Sequence, residues 1–362
     1  MYDSILRDAL ELSMEQKESL IAAPRAAVFE EAASATDDGP ARCPRCGHAH
    51  VVRKGHGRKG AQVWLCRGCE RTFTARTNRV IALSKLDAST WADFVEGMVE
   101  GLPLRKLAER CEVCLKTAWY MRMRVCSVME SRLAPFRCDR GTSVQIDEKY
   151  PNESLSGNRE RARVKMPRAP HVNGHGVRLR GISCEKACVL TGVNDLGDCF
   201  CRLVGRGKAG IAQVRDGIEG IALAGAVVST DELSSYVVPL SEARALSHNR
   251  YNSKAAGEDE LGMVNALHSR LDRFLAGFNG VSTRRLPLYL SWFCWEEQAR
   301  RSDATRLGML SPQVANGLTD LRIRDMWDVP QPFFMEYWGG KVWADEVDLD
   351  DLYEPAFVSS VV

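Results

Sequence analysis

Two cysteine pairs near the N-terminus constrain the fold of this chain more tightly than any other feature. Cys43-Pro-Arg-Cys46 and Cys66-Arg-Gly-Cys69 read as C-x2-C, a spacer of 19 residues, then C-x2-C. A C-x2-C turn offers two thiolates on one tight knuckle, and two knuckles joined by a hairpin complete the tetrahedron that Zn2+ favours. Gly47 and Gly68 supply permissive backbone beside the knuckles. The segment holds little apolar core, so the metal is expected to contribute its folding energy. Four thiolates leave no open coordination position, which makes the expected zinc structural rather than catalytic. Four unconnected buried cysteines would not account for the paired spacing. His48, His50 and His56 are surplus to a complete quartet.

The chain carries 13 cysteines, an odd number with several closely spaced, which points to a reducing compartment with metal-bound and free thiols. Cys111 and Cys114 repeat the C-x2-C spacing without a second pair at ribbon distance, and Cys184, Cys188, Cys199 and Cys201 read as small apolar residues around strands. No apolar run approaches the ~18 residues of a membrane span, and no charged region followed by an apolar one suggests a secretory leader. The expectation is a cytoplasmic protein without a membrane partner. A net charge of +2 conceals a strong asymmetry. Residues 42–79 are heavily basic with Glu70 as their lone acid, residues 159–180 are basic with Glu160 alone, and the tail from Asp345 to Glu354 is acidic. A polyanion-binding front and middle follow from that pattern.

The 362 residues allow two or three domains. The expected order is an N-terminal helical segment and linker (1–40), a zinc ribbon (41–76), a helix-turn-helix-like segment (87–130), an α/β core (140–300) and a C-terminal extension with the acidic tail (301–362). Strands are expected at Ser143–Ile146, Val177–Ile182, Cys188–Val193 and Ala224–Ser229, with helices over 258–275 and 285–300. In the helical segment Trp91, Phe94, Val95 and Met98 share one face. A break at Cys111–Val113 separates Leu104–Ala108 from a basic and aromatic second helix. In a DNA complex that second helix would place Lys116, Thr117 and Tyr120 toward bases, and Arg122 and Arg124 nearer phosphates. A helical bundle that merely positions the ribbon fits the same residues.

Two apolar strands end in acids. Gln145-Ile-Asp147 is one, and Val227-Val-Ser-Thr-Asp231 is the other. An acid just past the end of a buried strand reaches the crevice above the sheet. Two such acids on neighbouring strands can share divalent cations, which bind carboxylate, water and phosphate oxygens together. Either acid alone would more simply be a turn or cap residue.

The joint order of these motifs resembles the DDE-type transposases, and specifically insertion-sequence family 1595. The resemblance spans about residues 41 to 298. It rests on the ribbon cysteines, Thr72 to Thr74, Arg105 to Ala108, Thr117 to Trp119, Asp147-Glu148, Ser229 to Asp231, Val264 to Leu271, Phe278 to Thr283 and Leu288 to Phe293. It implies an RNase H-like mixed sheet with flanking helices, acids on the first and fourth strands, and a third ligand on a later helix. That third position is Asn265, a variant in which a neutral carbonyl oxygen replaces a carboxylate. The implied activity is metal-dependent cleavage of transposon ends followed by strand transfer into target DNA. Two Mg2+ or Mn2+ ions would be held by Asp147, Asp231 and Asn265, in a homo-oligomer assembled on double-stranded DNA. Arg161, Arg163 and Lys165 would track the DNA backbone.

One position departs from the resemblance, which implies lysine seven residues after the asparagine, where this chain has Asp272. Either Arg270 or Arg273 then takes the phosphate role, or activity is impaired. The rival readings are a non-catalytic DNA-binding protein derived from a transposase and a nuclease that lacks strand transfer.

Overall fold

The computed structural model describes residues 42–58, 60–81, 84–156, 181–183, 185–252 and 260–327, with a few isolated positions besides. The expected N-terminal helix, the basic run 159–180 and the acidic tail lie wholly or almost wholly outside the described residues. The described chain forms two units, one of residues up to Arg132 together with Ser302–Ile323, the other Leu133–Arg301.

The first unit begins with three short antiparallel strands, β1 (Val51–His56), β2 (Gln62–Cys66) and β3 (Thr72–Phe73), in that spatial order. Their shared core is small: Trp64 and Phe73 against Cys43 and Cys66. Helix α1 (Ala88–Val99) starts where Asp87 accepts a hydrogen bond from the backbone N–H of Thr90 at 2.8 Å. It buries Trp91, Phe94, Val95 and Met98, the face read from the sequence. Helix α2 (Leu104–Arg110) packs close on α1, because a Cβ at Gly97 would come within 2.5 Å of the Leu107 side chain. Glu112 turns the chain with φ +51°, and α3 (Leu115–Ser131) follows.

The second unit is a five-stranded sheet built from β4 (Ser143–Lys149), β5 (Ala187–Asn194), β6 (Cys199–Arg206), β7 (Val227–Asp231) and β8 (Ser247–Tyr251). Its order is β6-β5-β4-β7-β8. The first three strands in sequence form an antiparallel meander, whereas β7 and β8 run parallel to β4. Helix α4 (Ile211–Ile218) connects β6 to β7, and α5 (Val237–Glu242) connects β7 to β8. Helices α6 (Gly262–Ala276) and α7 (Leu286–Ala299) follow the sheet. One face carries a core of Val144, Ile146, Leu190, Val214, Val228 and Tyr236. The other carries Val189, Val193, Val264, Leu267, Leu271, Leu290 and Phe293. Covered on both faces, β5 is buried along its whole length, which explains its nearly continuous apolar run. This is the mixed α/β sheet with flanking helices that the resemblance implies for an RNase H-like core, with acids ending the first and fourth strands of the sheet.

One strand candidate goes largely undescribed, and one strand of the sheet is not among those expected. Most of the Val177–Ile182 strand candidate lies outside the described residues, and its described end, Gly181–Ile182, is a bend rather than strand. On its outer side β5 pairs with β6, whose Cys-Phe-Cys-Arg-Leu-Val-Gly-Arg sequence carries no clean alternation. After α7 the chain rejoins the first unit through α8 (Arg306–Asn316), which packs on α1 and α3. There the N–H of Thr319 donates to the carbonyl of Asn78 at 2.6 Å.

Candidate functional site

Parallel pairing sets the acids side by side. Gln145 on β4 is in register with Ser229 on β7, so Asp147 and Asp231, each two residues further along, stand at the same level on neighbouring strands. Oxygens of Asp147, Glu148 and Asp231 lie within 4.8 Å of one another. Glu148 is the member of this cluster that the expected ligands do not include. It follows Val144 and Ile146 on one face of β4, where the alternation demands an apolar residue, and it is 6% exposed. A charged residue at such a position is the signal that marks it.

Burial sets the electrostatics of the cluster. It pushes Asp147 up to about 6, and the neighbouring charge of Asp231 adds to the shift. It pushes Glu148 up to about 8, with Tyr236 close by. Glu148 Oε1 is buried without a hydrogen-bond partner among the described residues. A divalent cation would relieve the crowding of three carboxylates whose oxygens lie within 4.8 Å of one another, so the donor set fits a hard metal ion.

The opposite face of β4 is tied to α6. Gln145 donates to the carbonyl of Glu260 at 2.9 Å and accepts from the N–H of Val264 at 3.0 Å, which fixes the start of the helix against the strand. One turn and a half along, His268 Nδ1 lies 3.7 Å from Asp147 Oδ2, and its Nε2 lies 2.7 Å from Thr191 Oγ1. Burial pushes His268 down to about 4, assisted by the nearby Lys149 charge. Asn265 is an exposed residue of the same helix, one turn before His268. Asp272 pairs with Lys149 at 2.6 Å. The two arginines considered as phosphate ligands face elsewhere: Arg270 pairs with Glu297 at 2.8 Å, and Arg273 donates to the carbonyl of Ser269.

In the first unit the four ribbon cysteines converge, with ligand atoms all within 4.8 Å of one another. The Cys43–Cys69 sulfurs are 3.8 Å apart and the Cys46–Cys66 sulfurs 3.6 Å. A tetrahedron with Zn–S bonds of about 2.3 Å has edges of about 3.8 Å, so the group is sized for zinc. Backbone N–H groups of Cys69 and Gly68 lower the Cys66 thiol, while Cys46, facing it, is shifted up. Of the two flanking glycines, Gly47 adopts φ +73°, whereas Gly68 makes room for the His48 ring, which a Cβ there would meet at 2.6 Å.

The expected DNA-reading residues divide. Lys116 is exposed at the start of α3, and Thr117 is half-buried. Tyr120 is buried. Arg122 and Arg124 turn toward main-chain carbonyls: Arg122 is 3% exposed and donates to the carbonyl of Leu102, and Arg124 donates to the carbonyls of Arg79 and Leu321. The reason is helical period, since Arg122 falls on the stripe of Ala118, Met121, Val125 and Met129 that α3 buries. Arg161, Arg163 and Lys165 lie outside the described residues.

No family model matches the chain. Its sequence is 28% identical over 257 residues to an uncharacterized protein in transposable element ISH50 of Halobacterium salinarum, covering 69% of this chain and 83% of that relative. A crystal structure of a pre-cleavage Mos1 transpososome overlaps 63% of this chain and 79% of its own, at 11% identity and a TM-score of 0.20. An overlap that loose bears on neither fold nor chemistry. By sequence, then, the chain is similar over most of its length to a protein in a transposable element.

Proposed function

We propose that the chain is an insertion-sequence transposase of the DDE type, with asparagine at the third position, close to insertion-sequence family 1595. The observation that carries this reading is the pair Asp147 and Asp231, at one level on adjacent parallel strands, with Glu148 completing an acidic cluster. Similarity to a protein in a transposable element supports it. The partners are double-stranded transposon-end and target DNA, bound by a homo-oligomer. The cysteine quartet holds a structural Zn2+.

Asp147 and Asp231 would hold two Mg2+ or Mn2+ ions, with Asn265 offering its carbonyl oxygen as an auxiliary ligand. Such ions, when bound, polarise a phosphodiester and lower the pKa of an attacking hydroxyl. The residues themselves perform the positioning. Strands β4 and β7 fix the two carboxylates, Gln145 fixes α6 beside them, and Asp272 holds the Lys149 ammonium on the same face as Asp147. In the first reaction water adds to phosphorus while the bond to the 3′ oxygen breaks, releasing a 3′ hydroxyl. In the second that hydroxyl attacks a target phosphodiester: one P–O bond forms, one breaks, and the displaced 3′ oxygen takes up a proton. Recognition falls to the ribbon and to the exposed start of α3, where Lys116 and Thr117 lie.

Incubating the protein with Mg2+ and DNA carrying the element's ends tests this directly. Nicking by the wild type and none by Asp147→Ala, with end binding retained by both, is the expected result. End binding with no cleavage by the wild type would support a non-catalytic derivative instead.

A further inference from the structure

His268 stands against the acids with its hydrogen placed by its neighbours. Thr191 Oγ1 donates its single hydrogen to the main-chain carbonyl of Asp147 at 2.8 Å. Toward His268, 2.7 Å away, that hydroxyl can only accept, so Nε2 carries the ring hydrogen. In a neutral ring the lone pair is then on Nδ1, which lies 3.7 Å from Asp147 Oδ2. Two acceptors face each other at a separation too long for a hydrogen bond. Both are held there. Thr191 is fully buried in β5, and His268 is 8% exposed on the inward face of α6, beside Val264, Leu267 and Leu271. An ion ~2.1 Å from each of two ligand atoms spans at most about 4.2 Å between them, and the observed gap falls inside that limit.

We propose that His268 Nδ1 and Asp147 Oδ2 together ligate a divalent cation, so that α6 contributes an imidazole to the metal centre. The inference rests on the metal-dependent reading above and sharpens it. Asp147 then serves two neighbours, the acids Asp231 and Glu148 on one side and His268 on the other. Thr191 acts as a positioning residue that fixes the tautomer, the role an outer hydrogen-bond partner commonly plays for a metal-bound histidine. A nitrogen ligand also shifts preference toward Mn2+ over Mg2+, which binds oxygen almost exclusively.

The test uses the full chain with its zinc in place, titrated with Mn2+ and examined by pulsed electron paramagnetic resonance for directly coordinated 14N. The expected spectrum shows nitrogen coupling in the wild type, lost in both His268→Gln and Asp147→Asn. Thr191→Val keeps the imidazole and should retain the coupling while weakening Mn2+ binding ~10-fold or more. It also guards against misfolding of the histidine variant. Mn2+ binding that requires Asp147 but shows no nitrogen coupling, with His268→Gln binding as tightly as the wild type, overturns the role of His268 and leaves the metal-dependent reading intact. Absence of any Asp147-dependent binding overturns both.

Discussion

At the scale of single residues the acidic cluster makes the fold sensitive to pH. Glu148 has its folded value raised to about 8 by burial, so the fold favours its protonated form. The sign follows from linkage: an acid raised on folding contributes stability fully below its ordinary range, and that contribution is lost as pH climbs to the folded value. Without divalent cations the melting temperature should therefore fall between about pH 4.5 and 8. Glu148→Gln, which mimics the neutral acid, should flatten that fall, recovering roughly 2–4 °C per kcal/mol for a unit of this size. Parallel pH profiles of the two proteins would refute the assignment. Asp272 is a second case. Its partner is Lys149, so Asp272→Lys sets two ammonium groups against each other beside the acids. A small drop in melting temperature is expected, since an exposed pair is worth about 1 kcal/mol or less. No gain in strand transfer should accompany it. Higher activity at unchanged stability would mean that Asp272 obstructs DNA instead.

At the scale of elements, Gly192 on β5 lies opposite Phe200 on β6, and a Cβ there would come within 2.2 Å of the ring. Gly192→Ala should cost about 1–3 kcal/mol through overpacking, measurable by urea unfolding; an unchanged midpoint would show that the ring moves aside freely. The ribbon's apolar core is little more than Trp64 and Phe73, so its folding is expected to depend on metal. Metal analysis should find about one zinc per chain and a clear loss in Cys43→Ser. A full zinc in that variant would remove the quartet assignment. These elements also mark what the sequence could reveal. The ribbon was legible because metal chemistry fixes both residue type and spacing, and β4 and β7 were legible because an apolar run ending in an acid is conspicuous. Strand β6 was not, since its exposed and buried positions do not alternate cleanly. At Arg122 the charge is conspicuous in the sequence, whereas its place on the buried stripe of α3 follows only from the helical phase. The imidazole of His268 lay in plain view, but its tautomer depends on Thr191, 77 residues away in sequence.

At the scale of the whole molecule, the described chain is one unit that carries the cysteine quartet and three helices, closed by residues returning from beyond the core, and a second unit whose mixed sheet carries the acids. The return of Ser302–Ile323 to the first unit could not be read from local pattern, because it rests on contacts such as Thr319 with Asn78 across the length of the chain. Division of labour follows: substitutions in the acids should spare DNA binding, and substitutions in the ribbon should impair it. The central claim is that Asp147 and Asp231 carry out metal-dependent strand transfer. Its most direct measurement is the yield of joined donor–target product from pre-cleaved element ends in Mg2+, compared among wild type, Asp147→Asn and Asp231→Asn at equal end occupancy. Joined product from the wild type and background from both variants is the expected result, and joining by either variant at the wild-type rate would contradict a role for these carboxylates.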